Sequence, residues 1–179
     1  MTKSIKLNSK EIITRRKNYD TTINKYRKII IAENVMSAKA VKMNQGSGYD
    51  LNQLYNTITQ MMENRIIIKG MLQSLNMGIT SFNIEEFKKT NNYSIFAAGE
   101  AKELLTFLKM IPTINPTEKS KKGLKGTGKK ETFSSAKIAS LIKKVQLDIN
   151  KYDAALEAFQ STEIEIENAP ESFTQDFAK

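Results

Sequence analysis

The chain has 179 residues, 40% hydrophobic and 26% charged, with a formal net charge of +9. It contains no Cys, His or Trp, which removes disulfides, thiolate and imidazole chemistry, and most transition-metal ligation. No apolar stretch approaches the ~20 residues needed to span a bilayer; the longest, around Ile29–Ile31 and Ile66–Ile68, are far shorter, so no membrane contact is expected.

Residues 1–8 form a basic, polar lead without an apolar leader region, so no secretory signal is expected. Asn8 and Glu11 have the three-residue spacing of a capping box, which predicts a helix from Ser9 to about Met43. Within it Tyr19, Ile23, Tyr26 and Ile30 repeat at alternating steps of four and three, which places them on one seam. Asn44 to Gly48 is a turn cluster. Asp50 then caps a second helix with the seam Leu51, Leu54, Ile58, Met61, Arg65, Ile68, Leu72 and Leu75, and Gly78 stops it. A short link between two long helices predicts an antiparallel hairpin.

Asn83 with Glu86, and Phe82 with Phe87, read as a capping box and a hydrophobic staple opening a short helix to about Lys89. A further helix from about Ser94 to Met110 presents Phe96, Leu104, Phe107, Leu108 and Ile111, and Pro112 and Pro116 end it. Residues 117–132 contain six Lys, three Gly and one apolar side chain and are predicted to be a basic flexible loop. Ser134 or Ser135 caps the last long helix, about 136–162, with the seam Ile138, Ile142, Val145, Ile149, Tyr152, Leu156 and Phe159. The expected organisation is one helical domain over 1–162 and an acidic tail over 163–179. In that tail Phe173 and Phe177, four residues apart, could dock as one helical turn. The fold class is all-α: a long antiparallel hairpin, a shorter middle helix and a long last helix in a coiled-coil-like bundle.

Charge is unevenly placed. Residues 1–42 carry net +8, 117–130 net +5 and 157–179 net −5. The candidate contacts for nucleic acid or an acidic partner are Arg15, Arg16, Lys17, Lys25, Arg27 and Lys28 of the first helix, with Lys10 nearby. The loop adds Lys119, Lys121, Lys122, Lys125, Lys129 and Lys130. With 24 Lys and 4 Arg, these suit salt-sensitive phosphate contacts better than bidentate base reading. The competing reading is a solvated face that meets the acidic tail of the same or a neighbouring chain. Arg65, the one charge in the second seam, is expected to set register or oligomer state, paired with an acid such as Glu33; the competing reading is an Arg that snorkels to solvent.

Other motifs are weak. Gly123 to Lys129 matches G-x-x-x-x-G-K, but Lys130 stands where a phosphate loop needs a hydroxyl. Ser134 to Lys137 is formally S-x-x-K, and helix capping accounts for its serines. Glu85 with Glu86 fits helix-start chemistry, and Glu163, Glu165 and Glu167 fit a solvated face. No catalytic residue, cofactor, metal or small-molecule substrate is therefore expected.

The order of elements resembles the septicolysin-like family of small helical bacterial and phage proteins. The matching stretches are Asn34–Asp50, Leu51–Asn76, Thr132–Ile138 and Ile149–Leu156, while residues 85–102 lack the family's Ala-Leu-Ala and Arg-Asp features. The resemblance implies an all-α, self-associating protein and supplies no catalytic residues. The function expected is a non-enzymatic structural or scaffold protein that self-associates or docks on other subunits through its helical seams. It would be cytoplasmic, or in the virion if phage-encoded. The alternatives are a sequence-nonspecific nucleic-acid-binding module and a helical adaptor or inhibitor of one large partner.

Overall fold

The computed structural model describes residues 5–37, 48–114 and 129–160, with 162, 163, 165 and 167. The fold is all-α. Four long helices carry it: α1 (Ser9–Glu33), α2 (Leu51–Asn76), α4 (Asn91–Met110) and α5 (Ser135–Gln160). A single helical turn, α3 (Ile84–Phe87), precedes α4.

Local chemistry sets most boundaries. At the start of α1 the Asn8 side chain accepts from Glu11 N–H at 2.9 Å, and Asn8 N–H donates to the Glu11 carboxylate at 2.8 Å. Asp50 accepts from Asn52 N–H at the start of α2. Gly78, at φ +76°, closes α2 in a Schellman motif: Gly78 N–H donates to Leu75 O and Ile79 N–H to Ser74 O. Asn83 caps α3 and the Phe82 and Phe87 rings lie 5.2 Å apart, as a staple requires. The Glu86 carboxylate, however, pairs with Lys89 at 2.9 Å instead of completing a capping box. Thr90 caps α4 three residues earlier than the sequence suggests, and the Ser134 hydroxyl caps α5.

The first helix ends at Glu33, ten residues before the expected Met43. Asn34 is the reason. It is 1% exposed and works as a three-way clamp. Its amide donates to Pro112 O at 2.7 Å and Phe133 O at 2.9 Å and accepts from Phe133 N–H at 2.7 Å. Continuing the helix outward would withdraw that side chain and leave buried backbone groups unpaired. The chain extends instead as β1 (Val35–Ser37), antiparallel to β2 (Lys129–Glu131), with Val35 opposite Glu131. Part of the expected 117–132 loop is therefore strand.

Neighbouring helices run antiparallel. Asp20 meets Arg65 while Tyr26 meets Tyr49, which orients α1 against α2. Lys102 reaches Asp153, and Asn34 joins the end of α4 to the start of α5. The main core gathers Ile23 and Ile30 of α1, Leu51, Leu54, Ile58 and Met62 of α2, Phe107 and Leu108 of α4, and Ile138, Val145 and Ile149 of α5, beneath Phe133. A second, aromatic cluster joins Phe82, Phe87, Tyr93, Phe96 and Tyr152 around Ile66 and Ala97. Gly70 belongs here, because a Cβ at that position would lie 2.7 Å from Phe87 Cε1 and Cε2.

The α5 seam does not hold to its end. Ile138, Val145 and Ile149 are buried, whereas Phe159 is 55% exposed. Tyr152 already packs against Tyr93 near the start of α4, so α5 overshoots its partner. No described helix is long and apolar enough to cross a membrane.

Candidate functional site

The helix seams, expected as surfaces for self-association, lie inside the chain. Leu51, Leu54, Ile58, Arg65 and Ile68 are buried, and Met61, Leu72 and Leu75 are half-buried. A second row, Met62, Ile66 and Gly70, is buried too, so α2 is covered on two sides. One chain supplies its own covering helices.

Arg65 sits at the centre of a buried ion network and pairs with acids other than Glu33. Its Nε donates to both oxygens of Glu100, at 2.8 and 3.0 Å, and Nη2 makes a further short contact with Glu100. Nη1 reaches Asp20 at 2.7 Å and Nη2 reaches Glu103 at 2.5 Å. Lys69 adds 2.7 Å to Glu100, and Arg27 adds 2.6 Å to Glu103. Three cations meet three carboxylates across α1, α2 and α4, so the group is neutral as a whole. Burial by itself would lower the Arg65 pKa. Hydrogen bonds donated to Glu100 and Asp20, with the charges of Glu100 and Glu103, outweigh it and raise the value above the ordinary range.

Arg27, expected among the outward cations, is turned inward. Besides Glu103 it contacts Met62 Sδ at 3.3 Å and lies 5.3 Å over the Phe107 ring. The remaining α1 cations, Lys10, Arg15, Arg16, Lys17, Lys25 and Lys28, are exposed and form no ion pair among the described residues. Lys10, Lys17, Lys25 and Lys28 fall on the helix face opposite Ile12, Ile23 and Ile30. Of the loop lysines, Lys129 and Lys130 contribute backbone to β2, while Lys119, Lys121, Lys122 and Lys125 lie outside the described residues, as do Phe173 and Phe177.

A groove of about 420 Å³ runs between α2 and α5 over α4. Its floor is Met62, Ile66, Ala97, Ala101 and Val145, and its walls carry Tyr55, Glu63, Lys144, Asp148 and Tyr152. Burial raises the Tyr55 phenol above its usual value. Tyr152 is pushed up to about 12, first by burial and then by Tyr93, Asp148 and Glu63. A second cleft, about 360 Å³, lies at the far end of the hairpin between Arg16, Lys69, Leu72, Gln73, Asn76 and Phe96. Among the described residues, no three His, Cys, Asp or Glu side chains gather as a metal cage. Such geometry offers contact surfaces: an apolar-floored groove with walls of both charges, a basic cleft and a basic helix face.

The inward Arg27 and the Glu100 partnership were hidden from sequence reading. The available signal was the i,i+3 pair Glu100 and Glu103 on the buried side of α4. Compared with protein-family models, curated proteins and solved structures, the chain matches none of them.

Proposed function

We propose that this chain is a non-enzymatic structural subunit that meets other protein subunits, or further copies of itself, through its charged outer faces. The observation that carries the reading is the row of α1 cations without partners among the described residues, on a helix whose apolar side is already covered. A helix packed on its own bundle has only its polar face left for recognition. Charged faces of this kind steer association and make it salt-dependent. The resemblance to the septicolysin-like family supports the self-associating part of the reading. Its extension is a component of a phage or other particle, made in the cytoplasm and carried in the virion.

Light scattering on the full chain tests this. The expected result is a mass above 20.3 kDa at high micromolar concentration in low salt, falling to 20.3 kDa in 0.5 M salt or in the variant K17E/K25E/K28E. A mass of 20.3 kDa under every condition overturns the self-assembling form. A second reading, sequence-nonspecific nucleic-acid contact, is favoured by the lysine-only composition of the same face. A salt-sensitive mobility shift of random DNA, lost in that variant, would replace the first reading by the second.

A further inference from the structure

Helices α2 and α5 both pack on α4, and much less on each other. The strip of α4 between them carries Ala97 and Ala101, one turn apart, whose methyl groups leave the space above them unfilled. The resulting groove of about 420 Å³ falls within the size range of small-molecule sites. Met62 and Ile66 of α2 continue its apolar floor, and Tyr55 and Tyr152 stand at its two ends.

The charges on its walls are ordered along it. Lys137 of α5 donates to Asn52 of α2 at 2.6 Å, which sets the level of one helix against the other. Glu63 and Asp148 each lie eleven residues beyond that bond, so they stand at about the same level on opposite walls. Both carboxylates help to raise the Tyr152 phenol, as neighbours at that end of the groove must. Lys144 lies one turn nearer the Tyr55 end, about 6 Å along the axis, at the level of Thr59. Glu63, Lys144 and Asp148 are exposed, and none of them forms an ion pair among the described residues. Glu100, which also borders the groove, is already neutralised by Arg65 and Lys69. Two free carboxylates against one Lys leave the walls acidic on a chain of net charge +9.

We propose that the groove between α2 and α5 binds an amphiphilic organic ammonium ion, its apolar body on Met62, Ile66, Ala97 and Ala101 and its cation between Glu63 and Asp148. The face of Tyr152 adds a cation–π surface at the same end. A bare metal ion fits less well, because the floor is apolar and no third carboxylate completes a cage among the described residues. The groove shares no residue with the α1 face proposed for subunit contact, so the two readings fail independently.

Dansylcadaverine, an aromatic body joined to a primary ammonium by five methylenes, tests this on the full chain. Its fluorescence rises on transfer to an apolar site, and the chain has no Trp to interfere. Half-saturation is expected at about 1–100 µM protein. The dansyl pentylamide, which has the same body and no ammonium, should bind at least about tenfold more weakly. E63Q/D148N should weaken dansylcadaverine by a similar factor, and Ala101→Phe should abolish binding by filling the floor. Lys144→Met should tighten it, since it removes the opposing cation. Circular dichroism checks that each variant folds. Equal binding of the two probes, or no enhancement at about 1 mM protein, overturns the proposal. So does binding that is lost in Lys144→Met and kept in E63Q/D148N, which would make the groove an anion site.

Discussion

Replacing Arg65 by Met isolates the contribution of the buried ion network. The Glu100 carboxylate has a side chain only 4% exposed, and Arg65 supplies most of its donors. After the substitution Lys69 alone would face it. Asp20 and Glu103 are about two-fifths exposed and can turn to water, so their loss weighs little. An uncompensated buried charge of this kind costs about 3–5 kcal/mol. For a chain of this length that is a fall in Tm of roughly 6–20 °C. Urea and thermal melts followed by far-ultraviolet circular dichroism at pH 7 give the value directly. The double variant R65M/E100L removes both buried charges and should recover most of the loss, since an apolar pair of similar volume often equals or exceeds an ion pair in stability. If R65M stays within about 1 kcal/mol of the parent, the network is not a stabilising centre and the reasoning fails.

Gly70→Ala should destabilise by about 1–3 kcal/mol despite alanine's better helix propensity, because its Cβ meets the Phe87 ring; adding Phe87→Leu should return part of the loss in the same melts. Asn34→Ala should cost about 2–4 kcal/mol by leaving Pro112 O and the Phe133 peptide groups unpaired. Asn34→Asp should fail similarly, since it can accept from Phe133 N–H but cannot donate to either carbonyl. Tyr152 gives an alkaline prediction. Its folded pKa, near 12, lies above the ordinary 10, so from pH 10 upward the unfolded chain loses that proton first and stability falls until about pH 12. Tyr152→Phe should flatten that part of the stability–pH curve, and spectrophotometric titration should lose its latest-titrating phenol.

The helices were legible because their signals are local. Heptad spacing, the Asn8 and Asp50 caps and the Gly78 stop all act within one turn of the residues they organise. The unread features depend on residues far apart in the chain. Asn34 ends α1 by bonding to Pro112 and Phe133, and no pattern within ten residues of it announces that. Arg65 of α2 draws its acids from α1 and α4, and Arg27 of α1 draws its acid from α4, so the sequence marks a polar break in a seam without naming its partner. The short β1–β2 pairing has the same character: three residues on each side, joined across more than ninety positions of chain. The surface candidates were legible only as charge. Which cations face outward was decided by helix packing, which turned Arg27 in and left Arg16 at a cleft.

The neutral cluster around Arg65 also restricts how this chain can drift. A shift of α4 past α1 and α2 by one turn, about 5.4 Å, would break every pair that Glu100 and Glu103 make in it at once. Changes at positions 65 and 100, the two buried charges, are therefore tolerated in concert and punished one at a time. In any set of descendants these two sites should vary together, as a keyed lock and its key must be recut as a set.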